Sequence, residues 1–177
     1  AVSTKSAGSP GERTRMDGDR DSEAITVEEL EAQPVLSIRG TVDVARLAEA
    51  QGERLREIWR SVDTGEATPA GPPFVRYHTF GETESDLEVG IPVVEPVGRG
   101  ELPGGLAIRT WHIGSHDALA DAYGRLEAWL TKHDRARNGA AWEVYWWIDA
   151  SKEPDPSTWP PPTEWRTELV QPIEGSP

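Results

Sequence analysis

The sequence predicts an α+β fold: two strand-helix-strand-strand units that form a curved antiparallel sheet, with two helices on one face and a ligand cleft on the other. Two segments carry apolar residues at helical spacing, and a strand-like segment precedes each of them. Two further strand-like segments follow each helix, so the element order of the first half recurs in the second. Sheets and helices with one apolar side bury that side against each other in two layers.

The first predicted unit begins with a short strand that is closed by Gly40. Apolar residues such as Leu55 and Ile58 then recur near helical spacing, and Asp43 is a suitable N-cap for the helix. A loop rich in Gly, Thr and Pro leads into two strands. The four elements are expected at residues 32–40, 43–61, 74–80 and 87–94.

The second predicted unit repeats this order. Its helix begins after Ser115, a candidate cap, and a turn at Asn138-Gly139 separates it from an aromatic strand. A proline-rich loop precedes the last strand, and Trp159 in that loop is either a lid over the cleft or part of a surface turn. The three strands are expected at residues 105–112, 142–148 and 165–172, and the apolar helix positions are Leu119, Tyr123, Leu126, Trp129 and Leu130.

Residues 1–24 contain Gly, Ser, Pro and charged residues but almost no large apolar side chain. Such a composition cannot offset the entropy of ordering, so a disordered tail is predicted. Met16 is a candidate start residue, which leaves residues 1–15 as a candidate non-native segment. Residues 25–177 are predicted to form one domain.

The charge balance argues against nucleic acid and anionic membranes as partners. Asp and Glu number 31 and Lys and Arg 18, for a formal net charge of -13. No apolar run reaches the roughly 18–20 residues that span a bilayer, so a cytoplasmic protein is expected. The pattern leaves the oligomeric state open.

No metal site or cofactor is predicted. The chain has no cysteine, which removes disulfides, thiolate ligands and cysteine nucleophiles. His112 and His116 are four residues apart, but a Gly-Ser pair between them argues against a shared helical face, and no third ligand lies near. Ser115 beside His116 is better explained as a helix cap than as a nucleophile.

Tryptophan is the unusual residue of this chain, with eight Trp against three Tyr and two Phe. In the predicted strand 142–148, alternation places Glu143, Tyr145 and Trp147 on one face. An unpaired buried carboxylate is costly, so a carboxylate between two rings indicates a cleft floor rather than core. The alternative is a solvated face where Glu143 pairs with an arginine. The other face is expected to pack beneath the helices and comprises Trp142, Val144, Trp146 and Ile148.

Four further residues are candidates for the cleft. Tyr77 occupies the position in the first unit that corresponds to Tyr145 in the second, although a half-buried strand tyrosine is an equal alternative. Trp111 and Trp165 lie on flanking strands and would complete an aromatic box, with core packing as their alternative. His112, at a strand end, is a candidate proton carrier.

Several segments resemble the GyrI-like, or AraC-type effector-binding, family over about residues 33–173. They are Gly-Pro-Pro-Phe-Val-Arg-Tyr at 71–77, Glu-Val-Gly-Ile-Pro-Val at 88–93, His-Ile-Gly-Ser-His at 112–116, Trp-Glu-Val-Tyr at 142–145 and Thr-Glu-Leu-Val-Gln-Pro-Ile at 167–173. The resemblance implies a small-molecule cleft between the two units, faced by the glutamate that corresponds to Glu143. Some members carry a DNA-binding domain ahead of this one. Residues 1–32 show no helix-turn-helix pattern, so a freestanding protein is expected.

Three functions remain open from the sequence. The first is a binding protein for a planar hydrophobic or cationic xenobiotic or natural product, which would give drug resistance or self-protection. The second, implied by a subset of the family, is a hydrolase that opens the cyclopropane of DNA-alkylating natural products, with Glu143 and Tyr77 or Tyr145 as catalytic groups. The third is an acidic interaction module that acts on a DNA-binding enzyme.

Overall fold

The computed structural model describes residues 23–98 and 100–175; most of the predicted tail, residues 1–22, lies outside this range. Within the described residues the chain forms eight β-strands and two α-helices, with short 3₁₀ turns between some of them. The elements in chain order are β1 (Thr26–Leu30), β2 (Gln33–Asp43), α1 (Leu47–Asp63), β3 (Phe74–Phe80), β4 (Glu84–Pro92), β5 (Glu101–Leu102), β6 (Gly105–Ile113), α2 (Leu119–Lys132), β7 (Trp142–Tyr145) and β8 (Arg166–Pro172).

The strands form one antiparallel sheet in the order β1-β6-β8-β7-β3-β4-β2-β5. β1 lies at one end of this order and β2 lies next to the strand at the other end, although residues 31–32 alone join them in the chain. The sheet therefore has to curl until its two edges approach each other. The connection from β1 to β2 passes close to the connection from β5 to β6 at Gly104, where a Cβ would lie 2.7 Å from the Ala32 nitrogen.

Both helices pack on one face of the sheet, as the sequence predicts. Asp43 acts as the expected cap, because its Oδ1 accepts a hydrogen bond of 2.9 Å from the Ala45 nitrogen in the 3₁₀ turn that leads into α1. Buried apolar side chains of each helix meet buried strand residues in a separate core cluster. The α1 cluster contains Leu55, Ile58, Val75, Leu87, Val89 and Ile91; the α2 cluster contains Leu119, Leu126, Leu130, Ile108, Leu169 and Ile173.

A third cluster fills the opposite face and draws on strands alone. Its members come from six strands, including β5 and β6 near the two edges of the sheet, so the sheet curls around it. They are Val35, Phe74, Leu102, Ala107, Trp142 and Val170. The prediction that Trp142 and Val144 pack beneath the helices is therefore wrong. In the pairing of β7 with β3, Val144 lies opposite Phe74 and Glu143 opposite Val75, which puts Glu143 on the helix face.

Three local features differ from the predicted elements. β1 was not predicted, because its solvent-facing Glu28 and Glu29 obscure the strand pattern at this sheet edge. β5, with two residues, is too short to give a pattern. β7 ends at Tyr145 instead of residue 148, and Trp146 and Trp147 lie in a turn. In the part of the chain that the structure describes, neither helix has the length and apolar character needed to cross a membrane.

Candidate functional site

A cavity of about 480 Å³ opens on the helix face, between α1 and the loop that joins β7 to β8. Gln51, Gly52 and Leu55 of α1 form one wall. Aromatic side chains form the other, and they come from the end of β7, from the loop and from the turn before α2. These are His116, Tyr145, Trp147, Trp159 and Trp165. The volume lies in the range of small-molecule sites, which run from about 300 to 1,000 Å³.

The aromatic wall is built by ring-to-ring packing. Trp147 and Trp165 stack in parallel, with centroids 4.7 Å apart and planes inclined by 1°. Tyr145 lies 4.9 Å from Trp147, and the imidazole of His116 packs against all three rings at 5.2 to 5.4 Å. Such contacts hold each ring in place, so the wall is formed without a ligand.

The local backbone explains how Trp147 reaches this wall. After β7 the chain turns, and the Ile148 nitrogen donates to the Tyr145 carbonyl at 3.2 Å. This turn folds Trp147 back onto Tyr145. At the other end of the loop, the Trp165 indole nitrogen donates to the Pro160 carbonyl at 2.9 Å, which orients its ring. The intervening prolines restrict the backbone between the two tryptophans.

Glu143 lies at the seam between the two helix clusters. Its neighbours across the sheet are Val75, which belongs to the α1 cluster, and Leu169, which belongs to the α2 cluster. The residue is 3% exposed. Burial raises the pKa of its carboxyl to about 7, while the hydroxyls of Tyr145 and Tyr123 act in the opposite direction. The carboxyl therefore exchanges a proton near neutral pH.

Glu143 connects to the cavity through Tyr145. The Tyr145 hydroxyl donates to Oε2 of Glu143 at 3.4 Å, and Tyr145 lines the cavity whereas Glu143 lies behind it. Burial, followed by the charge of Glu143, raises the pKa of Tyr77, Tyr123 and Tyr145. All three phenols are thus protonated at neutral pH and able to donate hydrogen bonds. Tyr77 in turn accepts one from Gln51 Nε2 at 2.9 Å.

His116 adds a neutral imidazole to the wall. Its Nε2 lies 3.2 Å from Oγ1 of Thr167. Burial lowers the pKa of His116, the nearby His112 lowers it further, and Asp117 acts weakly in the opposite direction. A neutral ring that is held by a hydroxyl can pack against a ligand without adding positive charge.

Of the seven predicted site residues, three line the cavity: Tyr145, Trp147 and Trp165. Glu143 lies behind Tyr145, and Tyr77 is held by Gln51 of the cavity wall. The remaining two lie outside the cavity lining. His112 is buried beside it, with Nε2 donating to the Ser115 carbonyl at 2.8 Å. Trp111 lies on the opposite face, 5.7 Å from Trp146 and beneath the guanidinium of Arg166. The Ser115 hydroxyl donates to Asp117 and caps no helix nitrogen, so the predicted cap is wrong.

Three residues of the site were not predicted as such: Gln51, His116 and Tyr123. Tyr123 follows the apolar spacing of α2, which makes it resemble core, and Gln51 lies on α1, far from the other site residues in sequence. The sequence indicates His116 only as a weak candidate for metal binding or as a neighbour of Ser115. No local pattern marks these residues, because their role depends on how the helices lie on the sheet. Trp159 was expected either as a lid over the cleft or in a surface turn, and it lines the cavity.

The fold and cavity define a two-unit α+β domain with an aromatic small-molecule-sized pocket. The chain belongs to the GyrI-like small-molecule-binding domain family, whose model matches residues 23–174. This confirms the resemblance that the sequence motifs indicated. No curated protein matches the sequence significantly.

Solved structures share this fold at low sequence identity. The EcmrR C-terminal domain has a TM-score of 0.66 and 22% identity over 86% of this chain and 98% of that one. EcmrR in its complex with DNA has a TM-score of 0.68 and 20% identity, and the match covers 94% of this chain and 64% of EcmrR. SAV2435 bound to tetraphenylphosphonium has a TM-score of 0.56 and 11% identity, and the match covers 86% of this chain and 94% of SAV2435. A hydrolase from Listeria innocua has a TM-score of 0.54 and 11% identity, and the match covers 90% of this chain and 98% of the hydrolase.

Proposed function

We propose that this domain binds a small organic cation with planar apolar rings in the cavity between α1 and the loop from β7 to β8. The observation that carries the proposal is the parallel stack of Trp147 and Trp165, extended by Tyr145, beside the buried carboxyl of Glu143. Aromatic faces carry partial negative charge, so they attract a cation that has lost its water. Binding of this kind would sequester a xenobiotic or natural product and give resistance to it.

The buried carboxyl of Glu143 favours a cation over an anion, since the two charged residues of the cavity lining, Glu49 and Arg56, have opposite signs. Glu143 gains a full negative charge when a nearby cation lowers its pKa from about 7. The aromatic side chains around it contribute no positive charge, because burial favours the neutral form of His116. Among proteins of this fold, SAV2435 holds tetraphenylphosphonium, a cation of this chemical type.

Tetraphenylphosphonium and tetraphenylborate form a suitable pair of probes, since they have nearly the same shape and opposite charge. We expect the phosphonium to quench tryptophan fluorescence saturably, and the borate to bind at least about tenfold more weakly. Trp165→Ala should weaken phosphonium binding, whereas Trp111→Ala, a matched change on the opposite face, should leave it unchanged. Equal affinity for both ions, or full affinity in Trp165→Ala, would refute a cation site in this cavity.

The position of Glu143 favours a second candidate function, hydrolysis of an electrophilic ligand. A carboxyl with a pKa of about 7 beside protonated phenols is suited to general acid–base catalysis. In a cyclopropane fused to a conjugated ketone, water would attack the ring carbon while its carbon–carbon bond breaks. The electron pair would move onto the ketone oxygen, and Tyr145, which lines the cavity, would accept the proton of the attacking water as it passes its own proton to the Glu143 carboxylate behind it. The same relay would then return the proton from Glu143 through Tyr145 to the new oxygen anion.

Mass analysis of a cyclopropane-bearing DNA alkylator, incubated in excess over protein, separates the two functions. The hydrolase function predicts a catalytic gain of one water that is lost in Glu143→Gln. Recovery of unchanged compound together with quenched fluorescence would leave binding alone. Trp111→Ala serves again as the control, because it should retain whichever activity is found.

A further inference from the structure

A second cavity, of about 300 Å³, lies on the face of the sheet that carries no helix. Its walls include Phe74, Trp142, Val144 and Val170, and Trp146 forms part of its rim. Phe74, Trp142 and Val170 belong to the strand cluster at the centre of the curled sheet, and Val144 packs against it. The sheet itself separates this cavity from the one beside Tyr145, since the two open on opposite faces.

A buried carboxylate with a free oxygen lines this second cavity. Glu168 is 3% exposed, and its Oε1 accepts hydrogen bonds from Nη2 and Nε of Arg109 at 2.6 and 3.1 Å. Its Oε2 is fully buried and has no hydrogen-bond partner among the described residues. A buried acceptor without a partner is costly, and native proteins rarely leave one unless another group supplies the donor.

The charges around this oxygen favour a cationic donor. Arg109 divides its guanidinium between Glu168 and Glu28, so its positive charge serves two carboxylates. Glu31 is a further acidic residue in the cavity lining. The guanidinium groups of Arg76 and Arg166 stack on Trp142 and Trp111 and do not line the cavity. The lining thus has two acidic residues and one arginine that is already paired.

We propose that this cavity is a second ligand site, for a small arylamidinium or arylammonium ion that packs its ring against Trp142 and, after a rotation of the Glu168 carboxyl towards the cavity, donates an N–H to its Oε2. The flat apolar wall accepts a ring, and the free carboxylate oxygen requires a donor hydrogen. This requirement distinguishes the site from the first cavity, where stacked rings suit a cation without any N–H. The inference does not depend on what the first cavity binds.

Benzamidinium is a probe of the proposed chemistry, and benzyltrimethylammonium is a cation of similar size that lacks a donor. With 5-fluorotryptophan in the protein, the fluorine resonances of Trp142 and Trp146 report on this cavity and those of Trp147 and Trp165 on the other. Benzamidinium should shift Trp142 and Trp146 saturably, and benzyltrimethylammonium should not. No shift of these two resonances, or an equal response to both probes, would overturn the proposal.

Three variants complete the test. Glu168→Gln and Ala70→Trp, which adds bulk at an exposed position of the rim, should each weaken benzamidinium binding by at least about tenfold. Glu88→Gln is the matched control, because Glu88 is buried on the same face but has both oxygens bonded, to Ser37 and His78. If Glu168→Gln fails to fold, the affinity of Ala70→Trp for benzamidinium still tests whether this cavity is the binding site. Unchanged affinity in Ala70→Trp would show that benzamidinium binds elsewhere.

Discussion

The indole rings of Trp147 and Trp165 lie parallel, 4.7 Å apart between centroids, although 17 residues separate them in the chain. They lie near the two ends of the loop between β7 and β8, so their contact holds the ends of the loop together and forms the centre of the aromatic wall. His116 packs on the edges of both rings and ties the wall to the start of α2. The loop is therefore part of the folded domain and not an independent flap.

The stack should make a measurable contribution to stability. A double-mutant cycle with Trp147→Ala and Trp165→Ala is expected to give a coupling of about 0.5–1.5 kcal/mol in the free energy of unfolding, because each change removes the partner of the other. Urea denaturation measures all four proteins. The control cycle combines Trp111→Ala with Trp165→Ala and should be additive within about 0.5 kcal/mol. Coupling no larger than in the control would contradict the packing described here.

Burial of Glu143 should make wild-type stability depend on pH. The folded protein retains this proton up to a pKa of about 7, whereas the unfolded chain releases it near 4.5, so wild type loses stability as the pH rises between these values. Relative to Glu143→Gln, the free energy of unfolding of wild type should fall by about 3 kcal/mol between these two pKa values. Above the higher value the difference between the two proteins should stay constant. Denaturation of both proteins at several pH values measures the difference. Parallel pH curves would show that the carboxyl is not desolvated.

The same group should control cation affinity. Tetraphenylphosphonium favours the ionised form of Glu143, so the pKa of this carboxyl is lower in the complex than the value of about 7 in the free protein. Its affinity should rise as the pH increases from the lowered pKa to about 7, by about tenfold for each unit between the two values, and should level off above pH 7. His116 should not produce this slope, because burial keeps its pKa below its usual value. Fluorescence titrations across this pH range measure the effect. Glu143→Gln should give a flat profile; a slope that persists in this variant would assign the effect to another group.

Two glycines should respond in opposite directions to alanine. At Gly90 a Cβ would lie 2.6 Å from Cζ of the buried Phe74 and 2.7 Å from Cβ of Ser37, so Gly90→Ala should destabilise the domain by about 1–3 kcal/mol. Gly124 is exposed within α2 and a Cβ there meets nothing within 4 Å, so Gly124→Ala should stabilise by about 0.5–1 kcal/mol. Thermal melts of the two variants measure both shifts. A stable Gly90→Ala would mean that β3 and β4 do not approach as closely as described.

Many features of the fold could be predicted from local pattern. The two helices, the strands β2, β3, β4, β6 and β8, and the antiparallel duplicated arrangement follow from apolar spacing and element order, because these properties repeat within a few residues. The edge strand β1 could not be predicted, since its adjacent exposed residues Glu28 and Glu29 break the alternation of apolar and polar side chains. The face of β7 was also misassigned, because Trp142 and Val144 are apolar enough to suit either side of a sheet whose two faces are both buried.

The sequence by itself determined the class of fold, the family motifs and the concentration of aromatic residues around a single glutamate in β7. Each of these is a local property of the chain. Only the tertiary structure decided that Glu143 faces the helices, that Trp111 lies on the other side, and that His116, Tyr123 and Gln51 join the site. The reason is that these contacts depend on the register of β7 against β3 and β8 and on the turn after Tyr145, which joins residues distant in the chain.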